Sequence, residues 1–327
     1  MSTPPPGPGP VARLAVPDRV RIVEVGPRDG LQNEAVQVAT ADKATFVDLL
    51  SASGLPLVEV AAFVSPRWVP RMADASEVFE RVTRRPGARF AALVPNLAGL
   101  ERAMVARADE VAVFAAASET FSRRNINSSI DESLERYGEV CRVAKAAGLP
   151  VRGYLSTGFG CPYEGPVPPG RVRELALRLL DLGVYEVALG DTIGIAHPGQ
   201  VRQVLDAVLG AVPVERVALH FHDTRGTALA NVLASLPFGI RTFDASAGGL
   251  GGCPYAPGAA GNLATEDLVY MLDGLGVQTG VKLPGLLEAS AFIESRLDHE
   301  LPSRVYQAAR RTRPAGGASE EGHANRG

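Results

Sequence analysis

Eight short apolar runs, each followed by a stretch with helical periodicity, restrict the fold of this chain more than any other feature. The runs are RIVEVGP (21–27), LVEVAAF (57–63), RFAALVP (89–95), EVAVFAAAS (110–118), VRGYLSTGF (151–159), EVALGDT (186–192), VALHFHD (217–223) and TFDASAGG (242–249). They are close to continuously apolar rather than alternating, which marks strands buried on both faces. Amphipathic stretches such as DESLERYGEVCRVAKAAG (131–148) and RVRELALRLLDLG (171–183) separate them. In the second, Val172, Leu175, Leu179, Leu180 and Leu182 fall largely along one stripe, as a helix packed on a sheet requires. Gly54, Gly148, Gly183 and Gly239 stand where a left-handed residue would end a helix before the next strand. Strands alternating with helices imply a parallel sheet covered by helices. Eight such units in one stretch predict an α/β fold, a (β/α)8 TIM barrel, rather than an open doubly wound sheet.

The barrel domain is expected over residues 20–303. The proline-rich segment 1–19 and the small, polar, glycine-rich segment 304–327 read as a disordered lead and tail. Hydrophobic residues make up 46% of the chain and charged residues 21%, enough for a sizeable core. A formal net charge of −3 offers no broad surface for nucleic acid or an anionic membrane. Three cysteines without CxxC spacing point to a reducing compartment and no disulfide framework. No apolar run is long enough to span a bilayer, and the first residues lack the apolar stretch of a secretory signal. With no Arg- and Ser-rich transit segment and no peroxisomal tripeptide, the expected location is the cytoplasm.

A barrel of this kind carries its chemistry at the C-terminal ends of its strands. Arg28 and Asp29 follow the first run, Asp191 closes the sixth, and His220, His222 and Asp223 close the seventh. Side chains alternate along a strand, so His220 and His222 point to one face. Two imidazoles so placed make a half-site for a divalent metal, or two barrel-layer histidines held by hydrogen bonds. Only five histidines occur in the chain, which makes the pair informative. Asp29 would complete a mixed nitrogen and oxygen set suited to Mg, Mn or Zn, or would serve the turn before Gly30. Arg28 is a cation that does not deprotonate, suited to a developing enolate or a carboxylate, or to a surface ion pair.

The stretch GGLGGCPYAPGAAGN (248–262) follows the eighth run. Its Cys253 reads either as a small packing residue or as an acid/base thiol carried on a glycine-rich lid. Cys161 shares the CPY triplet but reads as structural, and Cys141, inside a helical pattern, as core. The glycines do not form a dinucleotide fingerprint, because no GxGxxG opens directly into a helix, and no P-loop pattern occurs.

Taken together, VEVGPRDGLQNE, HFHDTRGTALANV and GLGGCPYAPGAAGNLATEDLVYML resemble the 3-hydroxy-3-methylglutaryl-CoA (HMG-CoA) lyase family, in the same order and over about residues 20 to 300. The resemblance implies a metal-dependent (β/α)8 lyase that cleaves HMG-CoA to acetyl-CoA and acetoacetate, with leucine breakdown as its setting. It implies Mg2+ or Mn2+ held by Asp29, His220, His222 and Asn262. Arg28 would stabilise the enolate oxygen, and Cys253 would be the catalytic thiol. Glu24, Asp191 and Glu266 match acidic positions assigned to catalysis, and Glu59 one assigned to the substrate. In the basic loop SRRNINSS (122–129), Arg123 and Arg124 would meet CoA phosphates or remain solvated. An acyl-CoA substrate and a homodimer belong to the same implication. At Ala61-Ala62-Phe63 family members often carry hydroxyl residues, which keeps a longer 3-hydroxy-3-isohexenylglutaryl-CoA substrate open. A Claisen-type acyl-CoA/2-keto acid synthase fits the cysteine stretch less well. A non-catalytic acyl-CoA binder would have no need of the metal set.

Overall fold

A computed structural model describes residues 15–251 and 261–312. Eight parallel strands close into a barrel in sequence order. They are β1 (Arg21–Glu24), β2 (Leu57–Ala62), β3 (Arg89–Leu93), β4 (Glu110–Ala116), β5 (Val151–Ser156), β6 (Val187–Asp191), β7 (Val217–Phe221) and β8 (Thr242–Ala245). Closure is made by β1 against β8, with Val23 beside Asp244 and Glu24 beside Ala245. Each strand lies inside its predicted run and stops short of the run's end. The residues left at each run's C-terminal end form loops on the C-terminal face of the barrel.

The outer layer is α1 (Thr40–Ala52), α2 (Ala75–Arg81), α3 (Leu97–Val105), α4 (Glu119–Ile126), α5 (Ile130–Ala146), α6 (Pro169–Asp181), α7 (Pro198–Leu209) and α8 (Ala228–Ser235). It continues with α9 (Thr265–Gly274), α10 (Leu283–Glu294) and α11 (Arg304–Thr312). On α6 the expected stripe turns inward: Val172, Leu175 and Leu179 are fully buried. α5 starts on a reciprocal cap in which Ser129 accepts from the Glu132 amide and Glu132 accepts from the Ser129 amide. The four expected cap glycines all have positive φ. No helix among the described residues is long and apolar enough to cross a membrane.

The ordered chain extends past both expected boundaries. Arg19 forms a bridge with Gln278 ahead of β1. Residues 304–312, expected in the tail, form α11. Its start is capped by Asp267, which accepts from the Ser303 hydroxyl and from the amides of Arg304 and Val305. Tyr306 is buried and donates its hydroxyl to Glu294 at 2.7 Å. Both partners are distant in sequence, so local composition carries no sign of them.

Candidate active site

Arg28 and Asp29 owe their placement to the turn that leaves β1. The Val25 carbonyl accepts from the amides of Arg28, Asp29 and Gly30 at 3.2, 2.7 and 3.2 Å, making a single π-helical turn over Gly26–Gly30. Such a widened turn is frequent at functional sites because it re-aims side chains. Gly30 is required by close approach: a Cβ there would sit 2.8 Å from the Leu250 Cβ. That contact presses the start of the 248–262 stretch against the Asp29 turn.

Asp29 is the centre of the site. Its Oδ2 lies 3.9 Å from His220 Nε2 and 3.9 Å from His222 Nε2. The ligand-type atoms of these three residues all lie within 4.8 Å of one another. Asn262 donates its Nδ2 to the same Asp29 oxygen at 3.0 Å. Asn262 arrives because residues 261–263 pair with the end of β7, through Asp223 N to Gly261 O and Leu263 N to Phe221 O, both 3.0 Å. Asp29 Oδ1 accepts from Arg28 Nη1 at 2.6 Å, so the carboxylate divides between a cation on one side and the imidazoles on the other.

The electrostatics suit a cation site. Burial alone would raise the Asp29 pKa, but Arg28, the two imidazoles and Asn262 outweigh it and hold it at about 2. Asp29 is therefore a carboxylate at any working pH. Burial and then the neighbouring imidazole push His222 down to about 4, which keeps its ring neutral and able to ligate. His220 Nδ1 lies 3.1 Å from Asp244 Oδ2. Burial opposes charging that ring, but Asp244 outweighs it and raises its pKa. A carboxylate accepts only, so the Nδ1 proton faces Asp244 and Nε2 faces Asp29. Asn262 Oδ1 and His222 Nδ1 are buried without a hydrogen-bond partner among the described residues. An orphaned buried oxygen beside a carboxylate and two imidazoles is what a site built for a divalent cation leaves open.

Behind these groups runs a buried chain of charges that the sequence reading missed. Arg28 Nε donates to Glu59, whose other oxygen accepts from the Tyr154 hydroxyl at 2.9 Å. Arg152 donates to the Tyr154 hydroxyl at 3.0 Å, to Asp244 at 2.7 Å and to Glu186 at 2.9 Å. The path Asp29–Arg28–Glu59–Tyr154–Arg152–Asp244–His220 thus returns to the site where it began. A signal for it does exist: Arg152, Glu186 and Asp244 are charges inside otherwise apolar strand runs, and a buried charge needs a partner.

Glu59 therefore holds Arg28, and it lies behind the guanidinium rather than on the cavity wall. Glu24, Asp191 and Glu266, expected near the chemistry, are buried and serve loop amides. Glu24 accepts from the amides of Gly26 and Ala247 and from the Thr265 hydroxyl. Glu266 accepts from the Gly248 amide and the Ser290 hydroxyl. Asp191 accepts from the amides of Ile195 and Ala196 at 3.0 Å. Burial raises all three, Glu24 to about 8, Glu266 to about 7 and Asp191 to about 6. They fix the backbone that presents the site. Cys253 lies outside the described residues. Cys141 and Cys161 are buried free thiols, and Cys161 Sγ sits 2.9 Å from Ser118 Oγ.

Arg28, Asp29 and the two histidines open onto a cavity of about 960 Å³ whose wall includes Arg123 and Arg124. After β2 that wall is made by Val64 and Ser65. Ala61 and Ala62 pack into the hydrophobic core instead, so the absence of hydroxyls there does not alter the cavity lining. Phe221 likewise packs in the core, and Arg225 donates to the carbonyls of Ile193 and Gly194.

The HMGL-like family pattern matches residues 19–293. The mitochondrial hydroxymethylglutaryl-CoA lyase of Bos taurus is 55% identical, covering 89% of this chain and 90% of the relative. The cytoplasmic 3-hydroxy-3-methylglutaryl-CoA lyase of Rattus norvegicus is 51% identical over 91% of this chain and 87% of its own length. The crystal structure of hydroxymethylglutaryl-CoA lyase from Pseudomonas aeruginosa superposes with a TM-score of 0.89 at 53% identity, covering 90% of this chain and 99% of that one. With the fold, the motifs and these relatives in agreement, the chain belongs to the hydroxymethylglutaryl-CoA lyase family of enzymes.

Proposed function

We propose that this enzyme cleaves HMG-CoA to acetyl-CoA and acetoacetate by a retro-Claisen reaction. The observation that carries the reading is Asp29 Oδ2 facing the Nε2 atoms of His220 and His222 while Oδ1 holds Arg28. Asp29, His220, His222 and Asn262 Oδ1 would hold the divalent cation, Mg2+ or Mn2+. Bound there, it supplies Lewis acidity toward the substrate's C3 hydroxyl and a neighbouring oxygen.

As the C2–C3 bond breaks, the C3 hydroxyl gives up its proton to a general base of the site, Asp29, His220 or a water, and becomes the ketone of acetoacetate. The electron pair passes to C2 and onto the thioester oxygen. Arg28 is placed to meet that oxygen. Its Nε and Nη1 are taken by Glu59 and Asp29, and no described group accepts from Nη2. A donor held by two carboxylates in a largely buried site needs no reorganisation when the charge appears. Protonation at C2 then completes acetyl-CoA, and Cys253 is the proposed donor. The described ends of its stretch support this. Gly251, at φ +101°, has no room for a Cβ, which would lie 2.9 Å from Asn262 Nδ2 and 3.2 Å from the Gly30 Cα. The chain therefore enters the Cys253 segment against the metal ligands. A homodimer, the cytoplasm and leucine breakdown are the setting proposed with this activity. The relatives named above include both mitochondrial and cytoplasmic enzymes.

The test is to load the purified protein with Mg2+ or Mn2+ and supply HMG-CoA and its isohexenyl analogue, measuring acetoacetate and acetyl-CoA. HMG-CoA should turn over, and Cys253→Ala should lose most of the rate while retaining metal. No turnover of either ester would end the lyase reading. Preference for the isohexenyl ester would reassign the substrate.

A further inference from the structure

The cavity wall divides by burial: its reactive groups and leucines are buried, and its basic and aromatic groups are exposed. At the floor, the side chains of Arg28 and His222 are 9% and 7% exposed. Leu93 and Leu155, nearly or fully buried, line the same cavity. At the mouth, Arg123 is 65% exposed and reaches Glu119 only at 4.0 Å, while Arg124 and Arg136 line the same wall. Also on the wall is Trp68, 81% exposed.

Trp68 is not loose. It sits on a turn after β2, where the amides of Trp68 and Val69 both bond to the Ser65 carbonyl at 3.0 and 3.1 Å. Val69 packs against the core and Met72 is buried, so the turn is anchored on both sides of an indole left open. An indole displayed at the mouth of a cavity, unburied by its own chain, is a surface made to be covered by something flat and apolar.

The reading of the site as an acyl-CoA lyase, on which this inference rests, supplies the flat group. An acyl-CoA carries in linear order a thioester, a pantetheine arm, phosphates and an adenine. The cavity presents a buried reactive set and buried leucines for the acyl end, and exposed arginines and an exposed indole for the nucleotide end. We infer that Trp68 is the stacking platform for the adenine ring, with Arg123, Arg124 and Arg136 facing the phosphates between. Aromatic stacking on a base is strong and indifferent to the base's hydrogen-bonding edge, which fits a handle common to every CoA ester.

The chain has a single tryptophan, so all indole emission reports on this position. Free CoA and the fragment adenosine 3′,5′-bisphosphate should both quench Trp68 emission, and pantetheine should not. Trp68→Ala should raise KM for HMG-CoA about tenfold, equivalent to about 1.4 kcal/mol, with kcat changed far less. It should leave KM for the pantetheine ester, which has no adenine, where it was. Trp68→Phe should restore part of the loss, which separates stacking from loop damage. Turnover of HMG-CoA with no quench by the nucleotide fragment overturns the stacking assignment and leaves the lyase reading intact. Quenching by pantetheine as strong as by CoA also overturns it, because the indole would then face the arm or the acyl chain. Quenching by the fragment without turnover supports the platform and overturns the lyase reading.

Discussion

At the floor of the cavity Asp29 touches Arg28, His220, His222 and Asn262, and three of these four are themselves held, by Glu59, Asp244 and the Leu250 carbonyl. At the mouth, Arg123 has one partner at 4.0 Å and Trp68 stands 81% exposed. The difference follows from what each region must do. Groups that meet a developing charge gain most when their orientation is paid for in advance by folding. Groups that gather a long, flexible ligand need reach and net charge, and an exposed pair held tightly contributes little. Perturbing the floor should therefore change chemistry, and perturbing the mouth should change binding.

The largest effect is expected at the floor. His222→Ala removes a proposed ligand and should abolish tight Mn2+ binding, with turnover falling on the order of 10³-fold, beyond what loss of an outer partner costs. Calorimetric titration with Mn2+ beside the acetoacetate assay reads both, and retained affinity would remove His222 from the ligand set. Asp244→Asn acts one step back. His220 loses the acceptor that orients it and Arg152 loses a counter-charge, so metal affinity or rate should fall about 10–100-fold with the fold intact. An unchanged Mn2+ isotherm would show that the buried charge path is scaffolding with no bearing on the metal.

Glu24 tests the floor through stability. Burial raises its pKa from the ordinary 4.5 to about 8, so between these values the folded chain keeps a proton that the unfolded chain releases. Its contribution is complete below pH 4.5 and is lost as pH climbs through 8, with a slope approaching about 1.4 kcal/mol per pH unit for one proton. Glu24→Gln should flatten that slope in urea melts run across the range, and an unaltered slope would place the proton elsewhere. The smallest effect belongs to the mouth. Arg123→Ala should raise KM for HMG-CoA by about 2–5-fold, more weakly at high salt, with little change in kcat. A matching fall in kcat would erase the distinction between floor and mouth.

Some of this was legible in the residues and some was not. His220 and His222 were legible because strand alternation alone puts them on one face, and Arg28 and Asp29 because barrels keep their chemistry at strand ends. Asn262 became a candidate only through resemblance, since its place depends on a short pairing with β7 that no local pattern encodes. Glu24 and Asp191 at strand ends and Glu266 at the start of α9 stood at the right positions in the chain, yet a carboxylate there can turn toward the cavity or toward a loop amide. Here all three accept loop amides. α11 was missed because its cap, Asp267, comes from another helix.

What the sequence determined by itself was the periodic part: eight buried strands, the helices between them, and the face on which the reactive residues stand. Those follow from hydrophobic periodicity and chain direction, which are local properties. Only the tertiary structure decided which polar groups meet. Asp29 and Asn262 are 233 residues apart and bond at 3.0 Å. Arg152 and Asp244 are 92 apart and bond at 2.7 Å. Closing the barrel brings such pairs together inside a region that excludes water, where each buried charge must find its partner across the barrel.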